Sequence, residues 1–245
     1  METGTTDMTG AAGVKGKVVA ITGGFGNLGV ATAAWLIARG ARVALIGRGA
    51  APAKDALPAG VGEAAGIGGV DLTDVAAARE ALDIVNTQLG GLDALLNIAG
   101  AFRWETVADG DPATWDLMFE LNVKTALNAS RAALPHLLRG KAGRIVNIGA
   151  GAGWKAGLGT GAYAASKAGV ARLTEALAEE LKDKGVTVNA VLPGIIDTPQ
   201  NRKDMPDADF TRWVAPHEVA ALIGFLLSAE AQAITGALIP VNGRM

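Results

Sequence analysis

The stretch that most limits what this chain can become is Lys17-Val-Val-Ala-Ile-Thr22. It runs directly into Gly23-Gly-Phe-Gly-Asn-Leu-Gly29 and then into an alanine-rich helical run from Val30 to Arg39. Consecutive apolar residues at strand length describe a strand buried on both faces, which calls for a parallel sheet with helices on each side. The glycine turn leaves backbone N–H groups facing outward with no side chain in the way, and the helix N-terminus behind it favours an anion. That is a cradle for phosphate, although such a turn also forms with no ligand. The next strand, Arg42 to Ile46, arrives where a dinucleotide-binding unit needs it.

The rest of the chain keeps the alternation. Residues 49–65 are rich in Ala, Gly and Pro and predict a short or irregular connection. A weak third strand is expected over Gly66 to Leu72, a helix over Val75 to Leu89 and a fourth strand over Leu92 to Ile98. Asp111-Pro112 supplies an N-cap and a first-turn proline. The helix that follows carries Trp115, Met118, Phe119, Ala126 and Leu127 at helical spacing, and Pro135 is expected to kink or end it. Further strands are read at Arg144 to Ile148, Thr187 to Leu192 and Ala237 to Val241, with helices up to about Lys184 and over Pro216 to Ser228. The expected fold is therefore α/β, a doubly wound parallel sheet with helices on both faces. It forms one domain over residues 15–245, behind a disordered tail at 1–14. Residues 195–213 show neither periodicity, and a loop of that length inside a compact domain is usually functional, here a lid.

Composition removes whole classes of function. The net charge of −2 gives no basis for nucleic acid or an anionic membrane as partner. There is no cysteine, which excludes disulfides, thiolate metal sites and a cysteine nucleophile. His136 and His217 are the only histidines and lie too far apart in sequence for a histidine metal cluster, so no metal is expected. The N-terminal segment has no apolar signal-peptide core, and the longest apolar run, Ala220 to Ala229, is too short to span a bilayer. The expectation is a cytoplasmic protein acting on a small molecule.

Chemistry collects around Gly161-Ala-Tyr-Ala-Ala-Ser-Lys-Ala-Gly169. Tyr163 is the sole tyrosine, and Lys167 follows one helical turn later on the same face. An ammonium beside a phenol favours the phenolate, so the tyrosine is expected to have a lowered pKa and to exchange a proton near neutral pH. Asn122 falls on an apolar helical stripe, where a buried amide needs partners, and is either structural or part of a polar relay. Gly47 stands where an acid would accept from a ribose 2′-hydroxyl. Arg48 beside it is able to meet a 2′-phosphate, which favours NADP(H) over NAD(H). Asp71 either accepts from an adenine amino group or caps the next helix, and Asn97 either closes a turn or steadies the cofactor loop. Trp154 and Trp213 are placed to wall a pocket for a flat ring.

Taken together, Thr22-Gly23 to Gly29, Asn97-Ile-Ala-Gly100, Asn122, Tyr163 with Lys167, and Pro193-Gly194 resemble the short-chain dehydrogenase/reductase family in order and spacing. The resemblance implies a Rossmann-type sheet of about seven strands, a nicotinamide cofactor, hydride transfer at the carboxyl end of the sheet, and a homotetramer or homodimer. It makes Tyr163 the proton donor or acceptor. Lys167 would tune that tyrosine and hold the nicotinamide ribose, and Asn122 would bind the water linking Lys167 to solvent. Phe25, Leu28 and Gly29 would belong to the phosphate turn, Asp71 and Leu72 would flank adenine, and Asn97, Ala99 and Gly100 would lie along the adenosine ribose. Pro193, the Ile196 main chain and Thr198 would hold the nicotinamide end.

Two places depart from the family pattern. Asn27 replaces a glycine of the turn, where its tolerance of left-handed backbone would keep the turn intact. Ala150 stands where the family carries its catalytic serine, so the hydroxyl that steadies a substrate carbonyl is missing. Thr160, one turn before Tyr163, is the nearest substitute in sequence. The segment from Asp197 to Trp213 resembles that of dihydropteridine reductase, a branch that also carries alanine at the serine place and reduces a quinonoid dihydropterin. Three readings stay open: a reductase of an activated ring, a ketone or 3-oxoacyl reductase with a substitute donor, and a non-catalytic nucleotide binder.

Overall fold

A computed structural model describes residues 13–140 and 142–244. Seven parallel strands form one sheet in the order β3-β2-β1-β4-β5-β6-β7, with β1 at Val18–Thr22, β2 at Arg42–Ile46, β3 at Ala65–Ile67, β4 at Ala94–Asn97, β5 at Gly143–Ile148, β6 at Val186–Pro193 and β7 at Leu238–Val241. The helices are α1 (Asn27–Ile37), α2 (Val75–Leu89), α3 (Pro112–Phe119), α4 (Thr125–Leu137), α5 (Gly161–Leu181), α6 (Pro199–Asp204) and α7 (Pro216–Leu227). The strand order reverses between β1 and β4. At that switch point the connections diverge and open a crevice beyond the carboxyl ends of the strands.

The pleat of β1 divides the core in two. Val18 and Ala20 join Leu82, Leu95, Leu137, Ile145 and Leu181 under α2, α4 and α5. Val19 and Ile21 join Leu36, Leu96, Ile223 and Leu226 under α1 and α7. Successive strand side chains point to opposite faces, so a run apolar at every position is what a sheet covered on both sides requires.

Four elements differ from the sequence reading. The third strand stops at Ile67, because Gly69 takes a positive φ of 75° and turns Val70 to Leu72 out of the sheet. The long helix around Asn122 is two helices joined by a widened turn with π-type bonding at Glu120–Lys124. Pro135 does not end α4. It sits within the last turn, where its missing N–H affects a single carbonyl. The lid is partly ordered as α6, with Pro199 in its first turn and the Thr198 hydroxyl accepting from the Asn201 N–H at 3.1 Å. A helix of one to two turns is too short for its periodicity to register in sequence. The expected tail also ends early, since Val14 is already buried and Gly13 lies against Ser228. Residues 1–12 of that tail lie outside the described residues.

Candidate active site

The carboxyl ends of β1, β4, β5 and β6 place Thr22, Asn97, Ile148 and Pro193 around the crevice, and the first turns of α5 bring Tyr163 and Lys167 to it. Lys167 is buried, and its Nζ donates to the Ile148 carbonyl at 2.8 Å. That ammonium lies 5.9 Å from the centre of the Tyr163 ring. Burial pushes the Lys167 pKa down to about 8 and the Tyr163 pKa up to about 12. The expected lowering of the tyrosine by the lysine is therefore not met within the protein alone. Removing both groups from water disfavours both charged forms, and that cost outweighs their attraction at this separation.

The lysine pKa carries a stability consequence with a definite sign. A depressed lysine pKa means that the folded state binds fewer protons than the unfolded state between pH 8 and 10.5, so stability rises with pH across that window. Below pH 8 the folded protein carries the full cost of a buried ammonium. We expect Lys167→Met to raise stability at pH 7 by about 1–3 kcal/mol, the relief of charge burial being partly offset by the Ile148 carbonyl losing its donor. The gain should shrink as pH rises toward 10.5, as measured by urea unfolding at several pH values. Equal stability of the two proteins at pH 7 would contradict it.

Asn122 sits in the widened turn and is 1% exposed. Its Oδ1 accepts from the Ala101 N–H at 2.9 Å, and its Nδ2 donates to the Ala101 carbonyl at 3.0 Å and to Ser166 Oγ at 2.9 Å. Ser166 Oγ in turn donates to the Tyr163 carbonyl at 2.7 Å. The Asn122 side chain is thus committed to protein partners, and π-type turns of this kind concentrate at functional sites. Ser166 was not singled out from the sequence, although it lies within the motif between Tyr163 and Lys167.

Asn97 points away from the crevice. Its Nδ2 donates to Asn147 Oδ1 at 2.8 Å and to Ser130 Oγ at 3.0 Å, deep in the helix layer, while Oδ1 is buried with no partner. Only the main chain of this residue is available to a ligand. Beside it, the Ala99 N–H donates to Thr22 Oγ1 at 3.2 Å. Gly23 has a positive φ of 64°, and a Cβ there would come within 2.7 Å of the Ala99 nitrogen. The glycine turn and the end of β4 are thus pressed together as only glycine allows. Asn27 needs no left-handed backbone: among the described residues only glycines have positive φ, and Asn27 begins α1. The ring of Phe25 lies over Gly47, where a Cβ would meet it at 2.3 Å. Leu28 and Gly29 are buried in the first turn of α1.

Arg48, Asp71, Leu72, Ala99, Gly100 and Thr125 line a cavity of about 200 Å³. Asp71 Oδ1 accepts from the Thr73 N–H at 2.9 Å and from Thr73 Oγ1 at 2.8 Å. Those bonds, with Arg48 nearby, hold its carboxyl below the usual range. An open glycine turn at a helix N-terminus, a neighbouring cavity and a cation at its mouth fit a nicotinamide dinucleotide. Among the described residues no cluster suits a metal ion.

Of the residues expected in a substrate pocket, Ala150 follows β5 with extended backbone and is 7% exposed. The Thr160 hydroxyl donates to the Gly157 carbonyl at 2.9 Å and accepts from the Gly157 N–H at 2.9 Å. Its single proton is therefore spent locally. Trp154 is 55% exposed, whereas Trp213 is buried and packs on Phe210 at 4.7 Å between ring centres. In the lid, Asp197 and Arg202 form a two-bond pair at 2.6 and 2.7 Å, and the Ile196 carbonyl accepts from Asn201 Nδ2 at 2.8 Å. Phe102 was also missed from the sequence. Its ring meets that of Tyr163 edge-on, with centres 4.9 Å apart.

Comparison with known proteins gives the family and agrees with the fold. The model of the short chain dehydrogenase family matches residues 17–209. A 2-(S)-hydroxypropyl-CoM dehydrogenase of Xanthobacter autotrophicus is 34% identical, over 95% of this chain and 97% of its own. A 3-oxoacyl-[acyl-carrier-protein] reductase of Vibrio cholerae is likewise 34% identical, over 95% and 98%. A short-chain dehydrogenase/reductase structure from Mycobacterium ulcerans superposes with a TM-score of 0.86 at 28% identity, covering 95% of this chain and 90% of its own. An NAD⁺-bound xylitol dehydrogenase structure superposes with a TM-score of 0.84 at 26% identity, covering 94% and 98%.

The chain belongs to the short-chain dehydrogenase family. It is an NAD(P)(H)-dependent oxidoreductase. Among the described residues no helix is long and apolar enough to cross a membrane.

Proposed function

We propose that this protein reduces an activated, electron-poor acceptor with NADPH, a quinonoid dihydropteridine-like ring being the type case, and that Tyr163 delivers the proton. The observation that carries this reading is Ala150. Ala150, which the family resemblance aligns with the serine, is a buried methyl, and the hydroxyl nearest to Tyr163 before it in sequence, on Thr160, is closed on Gly157. A ketone reduced there would develop negative charge on its oxygen with one donor fewer, which typically costs about 10²–10³ in rate. A quinonoid ring disperses the incoming charge and needs less of that help. The lid resemblance to dihydropteridine reductase points the same way.

The bound nucleotide would supply the hydride. Around it, Tyr163 would protonate the acceptor atom that gains charge, and Lys167 would keep the tyrosine oxygen and the ribose in register. The Asn122–Ser166 pair would hold the first turn of α5 still. The segment at 195–213 would close over the acceptor, with Ile196 and Thr198 at the nicotinamide end and Trp154 beside the ring.

Support for NADPH comes from Arg48 and from Gly47, whose missing side chain leaves room for Phe25 and none for a ribose-binding acid. A homotetramer or homodimer is supported by the outward apolar side chains of α3, Trp115, Leu117 and Phe119. Cytoplasmic location and a single catalytic domain belong to the same reading. A second reading, reduction of a ketone or 3-oxoacyl group, is favoured by the 3-oxoacyl-[acyl-carrier-protein] reductases among the relatives.

The test is a set of acceptors assayed with NADH and NADPH side by side. Quinonoid dihydropterin and a quinone should turn over at least as fast as simple ketones. NADPH should be preferred about tenfold, a difference of ~1.4 kcal/mol, and Arg48→Asp should move that preference toward NADH. Brisk turnover of 3-oxoacyl thioesters with none of quinonoid dihydropterin would give the case to the second reading.

A further inference from the structure

We propose that Phe102 is a positioning and specificity-determining residue: one side of its ring braces Tyr163, and its open side forms the wall against which a planar acceptor lies. The proposal rests on reading the crevice as a hydride-transfer site, and one arm of its test is independent of that reading.

Phe102 belongs to the segment that follows β4, which has no regular structure of its own, yet it is pinned on both sides. On one side Ala101 is held through both its N–H and its carbonyl by the buried Asn122 amide. On the other side the Glu105 N–H donates to the Gly159 carbonyl at 2.8 Å, and Glu105 pairs with Thr160 as an isolated parallel bridge. Trp104 lies so close over Gly159 that a Cβ there would come within 2.1 Å of its ring. Phe102 is therefore presented by backbone fixed to the base of the tyrosine helix, and its own freedom to move is small.

The contact it makes is edge-on to Tyr163, with ring planes at 82°. Such a contact is directional, since the positive edge of one ring meets the negative face of the other. It restricts rotation of the phenol and keeps water from one side of it. Phe102 is nevertheless 59% exposed, an uncommon position for a phenylalanine held this firmly. The exposed part faces outward beside the tyrosine. Trp104, two residues further along the same segment, and Trp154, after β5, are exposed as well. An apolar wall touching the proton donor would admit a flat ring edge-on or stacked. It offers an extended acyl chain much less contact.

The sole tyrosine makes a direct test available. Ionisation of Tyr163 can be followed by ¹³C NMR of protein labelled at the tyrosine ζ-carbon, over the pH range in which circular dichroism shows the fold intact. Phe102→Leu should lower the apparent pKa by about one unit, because water reaches the phenol. Phe102→Tyr cannot be used in this arm, since it adds a second tyrosine, so Phe102→Trp serves as the conservative control and should stay near the wild type. In the kinetic arm, Phe102→Leu should raise KM for a planar quinonoid or aryl acceptor about tenfold more than for a 3-oxoacyl thioester, equivalent to ~1.4 kcal/mol, with Phe102→Trp restoring the difference.

An unchanged tyrosine titration in Phe102→Leu would overturn the bracing role, and equal KM changes for both acceptor types would overturn the selection. If the wild type transferred hydride to no acceptor, the selection would fall together with the enzymatic reading. The titration would still decide whether Phe102 braces Tyr163.

Discussion

Tyr163→Phe is expected to lower kcat about 10²–10⁴-fold for every acceptor that must gain a proton, the usual contribution of a positioned general acid. The substitution removes one oxygen and keeps the ring, so the edge-on contact with Phe102 is preserved. Nucleotide affinity, measured by quenching of tryptophan fluorescence, should change less than twofold, since the phosphate turn, Arg48 and the cavity beside Asp71 lie outside the altered contact. Loss of kcat with affinity retained places the defect in the chemical step. A variant as active as the wild type would mean that solvent supplies the proton, and Tyr163 would then be no more than a wall of the pocket.

Ala150→Ser should separate the two acceptor classes. The residue follows β5 with extended backbone, and serine adds a single oxygen where the family resemblance places a carbonyl donor. If ketones and 3-oxoacyl thioesters are slow for want of that donor, the variant should speed them by about 10²–10³. A quinonoid ring should respond less than threefold. Stability should fall only slightly, because the residue keeps a little exposure and the change adds a single oxygen. The comparison is best made as kcat/KM for one acceptor of each class with the same nucleotide. A large gain on the quinonoid ring, or none on the ketone, would remove the argument that the missing hydroxyl selects the acceptor.

The proton chemistry depends on what binds next. In the protein alone both members of the Tyr163–Lys167 pair are held uncharged more readily than in water, with pKa values of about 12 and about 8. A lysine poised near 8 changes charge easily when an anion or a polar ribose arrives. A tyrosine at 12 remains an acid across the physiological range.

Much of the framework was readable without coordinates. The apolar run at Lys17–Thr22 led to a strand buried on both faces, and Val18 to Thr22 is such a strand. The positions of Tyr163, Lys167, Ala150 and the glycine turn follow from residue order, because strands and helices alternate and each strand end delivers its loop to the same edge. Short elements were the least legible. The third strand was expected but drawn too long, the six residues of α6 are too few for periodicity to show, and the widened turn at Asn122 looks from sequence like uninterrupted helix.

What the sequence by itself determined was the class of fold, the position of the glycine turn after β1 and the pairing of Tyr163 with Lys167 on one helix face, because these depend on local patterns and chain order. Only the tertiary structure decided how those groups are wired. It turned Asn97 into the core, committed Asn122 to Ala101 and Ser166, closed the Thr160 hydroxyl on Gly157 and set Phe102 against Tyr163. Each of these is a contact between segments far apart in the chain or a choice among competing hydrogen-bond partners. It also reversed the expected direction of the tyrosine pKa, since the cost of desolvation depends on everything packed around the group and not on the neighbour one turn away.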